Sequence, residues 1–334
     1  MKAIKFFAIS AMAAAMITSC STDDELSQSN YPSDNIIRVT AGVNNAKTRA
    51  EGQGVTAMDK DFSLTIVNKN APKYTYTDKV FSKSSGDWAC SETLLWQKSD
   101  ALVDIVAFAP AQTGKFNGVY ANGSIQPIAY SVASDQSTAS DKNDLLYYYT
   151  KGFVPKDSLV NQKLNIQFNH AFCMIDINVT LGTEFNKPEV LENSPIIKVT
   201  LGGTKIAANV DVTNAASIVT ASEEAAATDI TTTKGSFTPA ENADKKADPE
   251  KNAISRFSCI AIPQTVAEKT FKVSLMTAGK RYEWTSAEPV ELKSGYRYTL
   301  KLSMGNDVVL LKGGSITASP WTEAEISDNT LETE

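Results

Sequence analysis

The chain has 334 residues, 42% of them hydrophobic, and a formal net charge of -6. That length suits two ordinary domains or one large all-β domain, and that apolar share excludes wholesale disorder. That acidic balance argues against nucleic acid as a partner, since phosphate binding calls for a basic face.

Lys2 and Lys5 precede an apolar run, Phe6 to Ile17, that is too short to span a bilayer as a stable helix. Residues 1–19 therefore read as a secretory signal peptide. Ile17-Thr18-Ser19-Cys20 ends it as bacterial lipoprotein signals end, with small residues just before a cysteine. The Cys20 thiol would take a diacylglycerol and become the mature amino terminus. The alternative is an ordinary signal whose cysteine is incidental. Residues 20–35, opening with Ser21-Thr22-Asp23-Asp24-Glu25, hold almost nothing to bury and read as an acidic flexible tether. No later stretch reaches about 18 consecutive apolar residues, so the lipid is the expected membrane attachment.

In residues 36–43, Ile37, Val39, Ala41 and Val43 share one parity, the pattern of a half-buried strand. The chain then reaches Lys47-Thr48-Arg49-Ala50 and the open Glu51-Gly52-Gln53-Gly54, a setting that invites proteolysis. Phe62, Leu64 and Ile66 alternate with Ser63 and Thr65. Leu102 to Ala109 is apolar on both parities apart from Asp104 and predicts a strand buried on both faces. From Leu164 to Val179 the apolar parity changes around 170–175, which predicts a bulge or a strand passing from one layer to another.

A domain boundary is expected near 185, dividing an N-terminal sandwich (36–185) from a C-terminal one (186–334). Residues 221–252, rich in Ala, Thr, Glu, Lys and Asp, read mostly as a polar surface insertion. Tyr296, Tyr298, Leu300, Leu302 and Met304 alternate cleanly with Arg297, Thr299, Lys301 and Ser303. No long stretch carries a 3.6-residue apolar period. Short strands separated by Gly, Asn and Pro indicate an all-β fold of two β-sandwiches.

Catalytic chemistry has little to work with. His170 is the single histidine and sits among Phe168, Ala171 and Phe172, where a core or interface role with one hydrogen bond fits better than a triad. Cys90, Cys173 and Cys259 form no C-x-x-C pair, so no zinc site is supported; Cys173 and Cys259 suit small buried hydrophobes. One disulfide among the three stays open. Trp88, Trp96, Trp284 and Trp321 could line a sugar-binding face or belong to the core. No nucleotide, metal or cofactor motif occurs, and the chain is expected not to be an enzyme.

Together these pieces resemble the fimbrillin-like lipoproteins, the type V pilins and accessory subunits of Bacteroidales. The resemblance rests on the Ile17-Thr18-Ser19-Cys20 lipobox, the strand running to Thr48-Arg49-Ala50, and Leu95-Trp96 through Phe108-Ala109-Pro110. It continues in Asp144-Leu145-Leu146, Phe168-Asn169-His170-Ala171-Phe172 with Ile175 and Ile177, Tyr296-Arg297-Tyr298 to Leu302, and Ile316 to Trp321. The acidic cluster behind Cys20 is similar to that group's surface-export signal, or is a plain spacer.

The family implies two tandem transthyretin-like β-sandwich domains and no cofactor. It implies export to the outer membrane as a lipoprotein lipidated (palmitate) at Cys20, and a cut between Arg49 and Ala50 by a trypsin-like protease. Polymerisation with other pilin subunits by donor-strand exchange then follows, the fimbrium serving cell adhesion. The C-terminal segment would be the donor, with Ile316, Trp321 and Ile326 as candidate anchors. The alternative is a permanently lipidated surface anchor or glycan-binding lipoprotein that is not cleaved.

Overall fold

The computed structural model describes residues 30–44, 58–182, 185, 193–240, 252–305, 309–311 and 316–321. The expected signal peptide, Cys20, Arg49, Ala50 and Ile326 lie outside the described residues. The protein is all-β, with one short α-helix, Pro155–Ser158, among the described residues.

The first ten strands are β1 (Val39–Val43), β2 (Phe62–Val67), β3 (Tyr76–Ser84), β4 (Asp87–Cys90), β5 (Val103–Ala109), β6 (Tyr120–Ala121), β7 (Ser124–Ile125), β8 (Ile128–Ser131), β9 (Leu146–Phe153) and β10 (Leu164–His170). Seven of them form one sheet in the order β1-β10-β9-β5-β2-β3-β4. Its two ends approach each other: the Ile37 N–H donates to the Leu94 carbonyl at 2.9 Å, and the Trp96 N–H to the Asn35 carbonyl at 2.8 Å. The sheet thus curls over one apolar core containing Phe62, Ile105, Leu164, Ile166 and Phe168. Curling limits the exposed edge, and β1 closes the side on which β10 would otherwise stand open.

The remaining strands are β11 (Cys173–Leu181), β12 (Ile196–Gly202), β13 (Ala207–Val210), β14 (Val219–Ala221), β15 (Ile230–Thr231), β16 (Thr233–Thr238) and β17 (Ile254–Ala261). They continue as β18 (Gln264–Val266), β19 (Lys272–Thr277), β20 (Arg281–Thr285), β21 (Val290–Leu292), β22 (Tyr296–Met304), β23 (Val309–Leu311) and β24 (Thr317–Pro320). A six-stranded sheet, β16-β17-β11-β22-β23 with β24 also on β22, shares a second core with the sheet β15-β12-β19-β20. Ile175, Ile177, Leu300 and Leu302 of the first meet Val199, Leu201, Val273 and Leu275 of the second.

The parity change in 164–179 is a crossing between the two sheets. β10 ends at His170 in the first sheet and β11 starts at Cys173 in the second. Sheet membership therefore changes well before the expected boundary near 185. β5 is buried on both faces, as its composition predicts: Ile105 and Ala107 face the first core, Val106 and Phe108 the second.

Residues 230–238, expected within a polar insertion, instead form β15 and β16, and β16 pairs antiparallel with β17 at a sheet edge. An edge strand with one solvated face tolerates the polar composition that suggested a loop. Gly203 is a turn glycine, at φ 88°, where a Cβ would collide with the Thr270 carbonyl.

Candidate functional site

The placement of β1 sets the site. It runs parallel to β10 in a five-residue register from Val39↔Leu164 to Val43↔Phe168, and β10 is its one strand partner in the sheet. Ile37, Val39 and Val43 are buried, and Ala41 packs against the same core. Leu164, Ile166 and Phe168 beside them on β10 are fully enclosed.

The ends of β1 are tied by polar contacts. At its start, the Leu164 N–H donates to the Arg38 carbonyl at 2.8 Å, and Arg38 forms an ion pair with Asp34 at 2.6 Å. Hydrogen bonds from the Arg38 side chain hold the Asp34 carboxyl down to about 2. At its end, the Asn44 N–H donates to the Phe168 carbonyl (2.7 Å) and its side-chain amide to Asn169 (2.8 Å). Three buried aliphatic side chains contribute roughly 1.5–3 kcal/mol each. β1 is therefore well seated: it pairs with β10 along one edge, and on the other side the residues just before it are bonded to Leu94 and Trp96.

His170, the residue closing β10, carries the second part of the site. Its Nδ1 lies 3.0 Å from the carboxylate of the buried Asp144. Trp321 lies face to face on the imidazole, 3.8 Å between ring centres and 8° from parallel. The Trp321 N–H donates to the Gly295 carbonyl at 2.7 Å, just past the pairing of β24 with Tyr296–Thr299 of β22. A cleft of about 590 Å³ opens here, lined by Asn44, Asn169, His170, Glu291, Lys293 and Trp321 among others. Asn44, just past β1, and Trp321, just past β24, thus line one cleft.

The sequence-predicted residues separate accordingly. Ile316 and Trp321 both pack, half-buried, against the second core. Cys20, Arg49, Ala50 and Ile326 are outside the described residues. His170 makes the hydrogen bond expected of it, and its partner is Asp144. Its stack with Trp321 had no sequence signal, because the two meet only through the fold. Among the described residues no group of three His, Cys, Asp or Glu side chains could hold a metal.

The other tryptophans pack on cores: Trp96 is buried and stacks on Phe153, Trp88 meets Phe62 edge-on, and Trp284 meets Phe271 edge-on. Cys173 and Cys259 are free thiols with no exposed surface, and Cys90 is free and half-buried.

A family model described as fimbrillin-like matches residues 48–321. Among solved structures, a candidate cell adhesion protein of Bacteroides uniformis aligns with a TM-score of 0.56 at 14% identity, over 87% of this chain and 100% of its own. A second, from Bacteroides ovatus, aligns at 0.55 and 18% identity, over 85% of this chain and 95% of its own. Both share the fold. No curated protein matches.

Proposed function

The chain belongs to the fimbrillin-like family, and on that premise we propose that it is a structural subunit, stalk or tip, of a cell-surface type V pilus. It is exported as a lipoprotein on Cys20, held at the outer membrane, cut after Arg49 by a trypsin-like protease, and polymerised with other pilin subunits to support adhesion. Its role is mechanical, not catalytic.

One observation carries this reading. β1 is an edge strand whose buried residues cover Leu164, Ile166 and Phe168, and it ends a short distance before Arg49. A cut there disconnects β1 from everything that follows it. Its departure leaves the β10 edge with unpaired N–H and C=O groups beside an apolar groove, which an extended segment of another subunit can fill. The C-terminal segment around β24 is the natural donor, since it already lies as a peripheral strand whose residues are mostly exposed. Ile316, Trp321 and Ile326 are its proposed anchors.

Electron microscopy of cells carrying Arg49→Ala tests this. Fibres made of this chain are expected on wild-type cells and absent from the variant, while the variant is still found at the surface. Fibres of the same length and number from Arg49→Ala would overturn the processing step.

A further inference from the structure

The two segments set in motion by that assembly route meet at one place in the intact chain. Asn44, just past β1, is bonded to Phe168 and Asn169. The next residue, His170, bears the Trp321 indole. The imidazole is fixed from behind by Asp144. The backbone around it is fixed as well: the Ser294 hydroxyl donates to the Ala171 carbonyl at 2.7 Å, and the Ala171 N–H to the Leu145 carbonyl at 2.8 Å.

Besides that stack, the C-terminal segment is held by a four-pair ladder, Thr317–Pro320 on Tyr296–Thr299, and by the Trp321 backbone N–H on the Gly295 carbonyl. β24 is mostly exposed, lies at the edge of β22, and includes Pro320, which has no N–H to give. Its hydrophobic contacts with the second core come from Ile316 and Trp321.

We infer that the His170–Trp321 stack is an autoinhibitory clasp: it keeps the C-terminal segment docked on its own subunit while β1 is in place, and it opens when β1 leaves. This rests on β1 being the strand that is cut away. With β1 present, β10 is paired along its length, Leu164–Phe168 on β1 and Asn169 and His170 on β9, and the His170 ring lies flat against the indole. Without β1, Leu164–Phe168 lose a row of partners and Asn169 loses Asn44. The end of β10 is then retained by its two-pair ladder to β9, Asn169↔Tyr147 and His170↔Leu146. With the strand before it loosened, the His170 ring leaves the indole more often, and the segment is released by a population shift. A subunit therefore offers its donor only once it also has an open groove. Uncut chains are kept from polymerising on both counts.

Hydrogen exchange of residues 316–321, followed by mass spectrometry, tests the clasp. The samples are the uncut chain, the chain cut after Arg49 with a trypsin-like protease, and the uncut variants His170→Leu, His170→Phe and Trp321→Leu. His170→Leu and Trp321→Leu are expected to speed exchange of the segment about five-fold without any cut, the scale of one aromatic pair. His170→Phe, which keeps a ring, should stay near wild type. Cutting should produce the same increase in the wild type and add little to His170→Leu. Unchanged exchange at residues 164–168 shows that a variant is folded, and Trp321→Leu repeats the test from the half-buried partner.

The clasp is overturned if neither the cut nor the variants change exchange at 316–321, or if cut and variant effects multiply independently. If the segment is released as described and cut chains still form no fibres, the strand-exchange route fails and the clasp stands. If fibres form with no change at 316–321, the reverse holds. Should Arg49 resist cutting, the three variants decide alone.

Discussion

Val43 lies directly opposite Phe168 in the parallel β1–β10 register, and both side chains belong to the first core. Phe168 also meets Phe62 edge-on, with ring centres 5.5 Å apart. Taking Val43 away therefore uncovers a side chain on which the first sheet depends, which is why a vacated groove would demand a replacement.

Val43→Asp places a carboxylate against that core. The uncut chain should lose about 2–4 kcal/mol, the range for an unpaired charge forced into a core. Urea unfolding of the precursor measures the loss. Fibres grown from the cut variant should be as stable as wild type, because the substituted strand is no longer there. Equal destabilisation of precursor and fibre would mean that β1 is retained.

Much of this arrangement was legible in the sequence, and the exceptions share a cause. The both-face burial of β5, the alternation of β22 and the crossing near 170–173 follow from side-chain parity, which is a local property. The parallel pairing of β1 with β10 and of β11 with β22 joins segments far apart in the chain, and parity says which face is buried but not against what. β15 and β16 escaped notice because edge strands need little apolar surface. At the site, the hydrogen bond of His170 was foreseeable from its apolar neighbours. Its contact with Trp321 depends on where two sheets end and leaves no trace in either local sequence.

The three downstream thiols should differ sharply in reactivity. Burial pushes the Cys173 and Cys259 thiols up from an ordinary 9.0, and the Cys173 thiol donates to the Ala261 carbonyl at 3.2 Å. A thiol reagent at pH 8 should label Cys90 in the folded chain and reach the other two only after unfolding. Linkage gives the sign at higher pH. Unfolded thiols lose their protons near 9.0 while the buried pair keeps them, so the folded state binds more protons and stability falls as pH rises beyond that value. Rapid labelling of Cys173 or Cys259 in the folded chain would contradict the packing of β11 against β17.

Cys20→Ala removes the proposed lipid acceptor. Wild-type cells fed labelled palmitate should incorporate it into the precursor, and the variant should incorporate none and leave the membrane fraction. Label retained in the variant would place the lipid elsewhere.

The central claim is that the assembled subunit no longer carries β1, and the amino terminus of the chain in purified surface fibres tests it most directly. Mass spectrometry should find Ala50 as the first residue, with no peptide from residues 21–49. Fibres whose subunits begin at an acylated Cys20 would contradict the claim.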